Sequence, residues 1–331
     1  GAIAIGWVAA QTNQQTNAIA IGVEAGQANQ GQNSVGVGYR AGYISQASNS
    51  VAIGYFAGYT NQRYGSIALG IESGKTNQST FCISIGNSAG GSNQNQKSIA
   101  IGYYAGYNNL GTLTVAIGDS AGYTQSGTQQ ESVFIGSQAG SVNASDYTVA
   151  VGSYAGQVGQ KQLTVAVGHR AGNTNQSTYA VALGYQAGAN GQGNSAVAIG
   201  KGAGLNSQAA NSIVINASGS TLDNTTASSC VINPIRSLDA RSSVIRKTYW
   251  NTSTSELSYD ENSNVSEIWD TRSTSKTPNG YRSDPGGLNV IREFKLNTDV
   301  NSPFGASTYV TLETYIPYTD TSGGVCWQQV F

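Results

Sequence analysis

Few side chains in this sequence are of a kind that does acid–base, nucleophilic or metal chemistry. The one histidine, His169, stands directly after a glycine, at a place where equivalent stretches carry Tyr, Asn, Ser or Lys. It reads as a solvated surface group, and no other imidazole is available to serve as the base of a Ser-His-Asp arrangement. Paired carboxylates cleave glycosidic bonds when they lie about 5–9.5 Å apart. Glu24 and Glu72 share a position in the periodic pattern described below, but three coils, about 14 Å, separate them at ordinary strand spacing. Glu131 and Asp146 are one coil apart at neighbouring positions and are the one pair within plausible reach. Asp260, Glu261, Glu267 and Asp270 cluster in sequence and could hold a cation, although a solvated loop accounts for them better. Calcium-binding β-roll repeats would read G-G-x-G-x-D, and aspartate is nearly absent from the repeated region. Cys82, Cys230 and Cys326 are too few and too scattered for a disulfide framework or a zinc site. The expectation is a chain with no catalytic residue, no metal and no cofactor. It is not read as an enzyme.

Aromatic side chains offer more. Trp250, Trp269, Tyr281, Arg282, Tyr318 and Trp327 lie beyond residue 248 and place ring faces beside polar partners, a combination that suits contact with a sugar or protein receptor. A small β domain also needs rings for its own core. Earlier in the chain Tyr39, Tyr55, Tyr103 and Tyr185 recur at one position, forming a broken exposed stripe. The Asn-x-Ser/Thr matches at Asn77, Asn175 and Asn251 are expected by chance in so Asn- and Ser-rich a chain.

Composition narrows the class. The net charge is −1 over 331 residues, without the basic stripe that a nucleic-acid binder needs. No run of 18 or more apolar residues occurs, so no membrane helix or insertion is expected from this chain. Met is absent even at position 1, and a chain starting at Gly1 reads as processed, trimmed or a fragment. Of 43 glycines, 36 precede residue 217, whereas all five prolines follow residue 233. Charged residues number 12 in 1–216 and 21 in 217–331. Two kinds of structure meet near 217.

The elements that carry these residues are set by an internal repeat. Gly6, Gly22, Gly38, Gly54, Gly70, Gly86, Gly102 and Gly118 are 16 apart; after one step of 18 come Gly136, Gly152, Gly168, Gly184 and Gly200, and Asn216 closes the series. Three residues before each of these fourteen positions stands Ile or Val, and one before stands Ile, Val or Leu. The residue between is small except at Phe134 and Val214. Large, small, large is a period of two, so each coil holds one β-strand. A second glycine four residues on marks another corner. Apolar residues at helical spacing are missing, and two glycines per coil would each cost a helix about 1 kcal/mol.

Identical strands at a fixed short step stack as a solenoid, about 4.8 Å per coil, here a rod on the order of 65 Å long. Glutamine recurs eight residues after the glycine from Gln14 to Gln208, with gaps at Leu110, Ser126 and Ala144, and predicts a stacked amide ladder acting as structural glue. The branched residues are expected inside the roll. The small column (Ala20, Ala52, Ala68, Ala100, Ala116, Ala150, Ala166, Ala182 and Ala198) is then expected outside, joining copies into a homotrimer. Between Gly118 and Gly136 two extra residues predict a bulged loop that makes room for the ring of Phe134.

The motif S-V-A-I-G followed by x-x-A-G, as in 50–58 and 98–106, resembles the head repeats of YadA-like trimeric autotransporter adhesins and shaft segments of viral and phage fibre proteins. The resemblance covers about 1–216. It implies a left-handed parallel β-roll, a trimer, an adhesive role, and a location outside the cell or on a virion surface. The succession N-P-I-R then Y-W-N-T-S-T-S-E-L-S-Y-D looks like the module that follows a viral fibre shaft, and the chain's last stretch loosely resembles phage-type tip domains.

Beyond the roll, 217–248 reads as a neck that continues the stack irregularly, with an apolar run at 230–235. Segments 248–250 and 256–259 flank a turn and predict a hairpin. Residues 261–289 are polar and turn-rich. Segments 290–296 and 307–315 alternate like strands, and the ending reads as two strands around Ser322-Gly323-Gly324. The expected architecture is all-β: a 16-residue-coil β-solenoid over 1–216, a neck over 217–248 and a small antiparallel β tip domain over 249–331. The expected function is a fibre protein that attaches to a host glycan or protein receptor. A ligand-free structural spacer is the rival, and a glycan-cleaving tailspike a weaker third.

Overall fold

A computed structural model describes residues 1–125 and 130–235 with their side chains. Beyond 235 it describes the turn at 253–254 and the backbone of six strands. Two compact units divide the chain, Gly1–Ile235 and Arg236–Phe331.

The first unit is a parallel β-solenoid with no helix among the described residues. Fifteen short strands, from Ile3–Ile5 to Cys230–Asn233, form one sheet in chain order. Register follows the repeat: Ile3 pairs with Ile19, Ala4 with Ala20 and Ile5 with Ile21. The step lengthens to Val133 beside Val115, and Cys230 stands beside Ile213, so the stack runs one strand past residue 216. A second ladder on another side runs through isolated bridges such as Thr12–Ala28 and Ala28–Ile44, and widens to strands at Thr76–Gln78 and Ser92–Gln94. Every coil thus templates the edge of the next with its own backbone donors and acceptors.

The repeated glycine is required by that stacking. Gly54 has φ +132°, and a Cβ there would stand 2.4 Å from the carbonyl oxygen of Gly70. Successive coils touch backbone to backbone at this corner, and only glycine permits it. Other corners take left-handed backbone from non-glycine residues, with asparagine frequent, as at Asn29 (φ 59°), Asn61 (φ 56°) and Asn77 (φ 56°).

The core reverses one expectation. Ala20, Ala52, Ala68, Ala100, Ala116, Ala150, Ala166, Ala182 and Ala198 are fully buried inside the roll, at 0% exposure. They are therefore not available to a neighbouring subunit. The branched residues on either side of them point outward, with Leu69 at 41% and Leu183 at 45% exposure. The reason is cross-section. Sixteen residues enclose a thin tube, and its interior holds only four columns: this alanine, the alanine before the second glycine (Ala25, Ala41, Ala57), the glutamine, and a Ser, Thr, Ala or Cys such as Ser50 or Cys82. Ile or Val in the narrow place taken by alanine would overpack it.

Glutamine holds this core together from within. Gln30, Gln46, Gln62, Gln78 and Gln94 are buried, and along this run each Nε2 donates to the Oε1 of the next, Gln46 to Gln62 and Gln62 to Gln78 at 3.2 Å. Each also donates to a strand carbonyl, as Gln46 does to Val35 at 2.8 Å. A buried primary amide so satisfied contributes stability instead of removing it. The expected ladder is present, in two runs separated by Leu110, Phe134 and Ala144, which form an apolar plug. The ring of Phe134 is fully buried there, while the extra loop expected beside it includes residues 126–129, outside the described residues.

In the second unit, Thr248–Asn251 and Glu256–Tyr259 pair as an antiparallel hairpin. A four-stranded sheet has the order Glu267–Trp269, Val290–Leu296, Tyr309–Tyr315, Trp327–Val330. Its first pair is parallel and the other two antiparallel, so the sheet is mixed where a purely antiparallel one was expected. The difference comes from Glu267–Trp269, a strand inside the polar stretch read as turns.

Candidate functional site

The turn after each repeat glycine carries two successive side chains, and the second sits in left-handed backbone, as at Glu24 (φ 55°), Arg40 (φ 53°) and Phe56 (φ 54°). Because coils repeat in register, these side chains line up in columns about 4.8 Å apart, close enough for rings to stack. Tyr39 stacks on Tyr55 with centroids 5.4 Å apart, and Tyr43 on Tyr59 at 4.9 Å. The ring of Phe56 stands edge-on between these pairs.

Arg40 is the centre of this patch. Its Nε donates to Glu24 at 2.7 Å, and the guanidinium carbon lies 5.2 Å from the Tyr39 ring, 5.3 Å from Tyr43 and 5.7 Å from Phe56. The hydrogen bond to Glu24 holds its pKa above the ordinary value. Lys75 pairs with Glu72 at 3.0 Å and lies 5.6 Å from the Phe56 ring. A second patch joins Tyr103, Tyr104, Tyr107 and Tyr123, where the Tyr104 hydrogen bond raises the Tyr103 pKa. A third stacks His169 on Tyr185 at 5.5 Å, with Tyr154 edge-on and Arg170 over Tyr154.

The candidate acids and bases are placed as follows. Glu24 and Glu72 face different partners, Arg40 and Lys75. Asp146 accepts from the Gln130 backbone N–H at 3.2 Å and from Gln162 Nε2 at 3.3 Å, while Glu131 is exposed. His169 sits on the surface in its aromatic stack. Cys82 is buried and Cys230 exposed. No group of three or more His, Cys, Asp or Glu among the described residues could hold a metal. Asp260, Glu261, Asp270, Tyr281, Arg282, Tyr318 and Cys326 lie outside the described residues. Glu267 and the three tryptophans sit on described strands, with Trp250 opposite Leu257, Trp269 opposite Glu293 and Trp327 opposite Tyr315.

No family model, no curated protein and no solved structure matches this chain.

What the described surface offers is therefore read from geometry alone. The Arg40 patch joins residues that sequence reading did not single out together. The signal was there: Glu24 and Arg40 are 16 apart, opposite charges one coil from each other, with aromatic residues in the flanking columns.

Proposed function

We propose that this chain is a structural and adhesive fibre protein that assembles as a homotrimer and attaches to a host cell or surface receptor, without enzymatic activity. A β-solenoid fold is compatible with a structural fibre role. The observation that carries the reading is the outward face of the parallel sheet. Coil after coil it presents branched aliphatic side chains, among them Ile21, Ile53, Leu69, Ile135 and Ile199, each 37% or more exposed. Apolar columns of that length gain free energy on leaving water, at roughly 25 cal/mol per Å². Copies of the same chain in register offer a matching face, which favours closed rotational assembly. The proposed trimer is therefore placed on the branched columns, in place of the buried alanine column beside them.

Attachment is assigned to the outward patches of the roll and to the aromatic residues beyond 248. The test is binding of the labelled full chain to host-type cells before and after stripping of surface glycans and proteins. Saturable binding lost on one of these treatments supports a receptor role. Trimers that bind no surface under any condition favour the ligand-free spacer.

A further inference from the structure

We propose that a cleft on the flank of the roll, over Ser45, binds a short segment of an acidic saccharide. The cleft has a volume of about 450 Å³ and is lined by, among others, Asn29, Gly31, Ser45, Ser48, Asn61 and Arg63. It lies on columns remote in each coil from the branched face, and stands independently of any contact made by residues 249–331.

Its origin is a missing rung. One corner of the coil carries asparagine in left-handed backbone, and these asparagines form an external ladder. Asn13 Nδ2 donates to Asn29 Oδ1 at 3.0 Å, and Asn61 to Asn77 and Asn77 to Asn93 at the same distance. Between Asn29 and Asn61 the residue is Ser45, with φ 58° like its neighbours. The serine side chain is too short to continue the ladder. Asn29 therefore turns an Nδ2 donor, and Asn61 an Oδ1 acceptor, toward a gap spanning two coil steps, roughly 10 Å. A vicinal pair of sugar hydroxyls, each able to donate and accept, has the chemistry to fill it.

The floor is held open. Gly31 donates its N–H to Gln46 O at 2.7 Å, and a Cβ on Gly31 would stand 2.4 Å from the backbone nitrogen of Ser48. No larger residue fits at Gly31 without moving the next coil, so the depression is built into the backbone. Gln46 and Gln62 beneath it are committed to the inner ladder.

One end supplies charge. Arg63 is exposed and forms no ion pair among the described residues, whose two salt bridges are Arg40–Glu24 and Lys75–Glu72. A free guanidinium beside amides and hydroxyls suits one carboxylate, whereas a phosphate chain would call for several cations.

The experiment titrates the full chain with a tetrasaccharide alternating hexuronic acid and N-acetylhexosamine, and with its carboxyl-reduced neutral form, followed by calorimetry and saturation-transfer NMR. The native chain is expected to bind the acidic form more tightly. Ser45→Asn restores the rung, so it should fold at least as stably as the native chain yet bind ten-fold or more weakly. Arg63→Gln should bind both forms alike. Absence of binding by the native chain at millimolar saccharide, or undiminished binding by a folded Ser45→Asn chain, would overturn the proposal.

Discussion

Gln160 turns a buried Oε1 toward the place where Ala144 stands, and that oxygen has no hydrogen-bond partner. In the inner ladder each Nε2 donates to the Oε1 of the following coil, so the direction of the chain of amides is fixed. Ala144, one coil earlier, has no amide to give. Gln160 therefore starts the second run of the ladder with its acceptor orphaned, beside the apolar plug of Leu110 and Phe134. The missing amide and the extra ring are two sides of one exchange: Phe134 occupies interior volume that a small residue and a glutamine share in other coils.

That exchange predicts coupling. Phe134→Ala should lower stability by about 3–5 kcal/mol, as expected for an emptied ring site. Adding Ala144→Gln should recover at least about 1 kcal/mol of that loss, because the new amide fills space and donates to Gln160 Oε1. Ala144→Gln alone, with the ring still present, should be destabilising. Thermal melts of the four chains give the coupling, and simple additivity would refute the exchange.

The orphaned acceptor also ranks the glutamines. Gln62→Leu breaks a rung on both sides, removing the donation from Gln46 and that to Gln78. Gln160→Leu breaks one rung, the donation to Gln176. Gln160→Leu should therefore cost about 1 kcal/mol less than Gln62→Leu, the worth of one buried hydrogen bond. Denaturation midpoints compare the two directly; equal losses would speak against a directional ladder.

Stacking of glycine on glycine makes a further prediction. A Cβ at Gly118 would come within 2.7 Å of the backbone carbonyl of Gly136, at φ +131°. Gly118→Ala should lose roughly 1–3 kcal/mol from backbone strain alone, with the inter-coil clash adding to it. Gly219, which has open space around it, should tolerate alanine better despite its φ of +80°. Melting temperatures of the two variants supply the check.

Burial pushes the Cys82 thiol pKa up, and its Sγ donates to Asn95 O at 2.8 Å. With the folded pKa raised above the unfolded one, this group's contribution is complete below the ordinary thiol value. It is lost as pH rises through the folded value. Stability should begin to fall above about pH 8.5, and Cys82→Ala should flatten that fall. Alkylation at pH 8 should label Cys230 and spare Cys82 in the folded chain, read by mass spectrometry.

How far these features could be read from residues alone varies with the feature. The coil length, the strand in each coil and the register follow from glycine and branched residues recurring at one step. The glutamine ladder follows from its column. Which face of the strand is inside does not follow, because alternation says only that Val51 and Ile53 share a face opposite to Ala52. The width of the tube decides the question. Alanine at two columns and a glutamine at a third already fill it, which leaves the branched side chains outside. The uniformity of Ala57 and its equivalents was the available sign, since a wide core would not need alanine twice per coil. The cleft at Ser45 was legible only as a departure from asparagine, and its depth depends on backbone approach at Gly31.

Assembly of copies through the outward branched columns is tested most directly by mass in solution. Light scattering at micromolar concentration should give three times the 34.2 kDa of one chain. The paired substitution Leu69→Asp with Ile85→Asp, on adjacent strands of the exposed face, should reduce it to a single folded chain that keeps its β circular dichroism. A native chain that runs at the mass of one copy, or an aspartate pair that leaves the mass unchanged, would contradict the account.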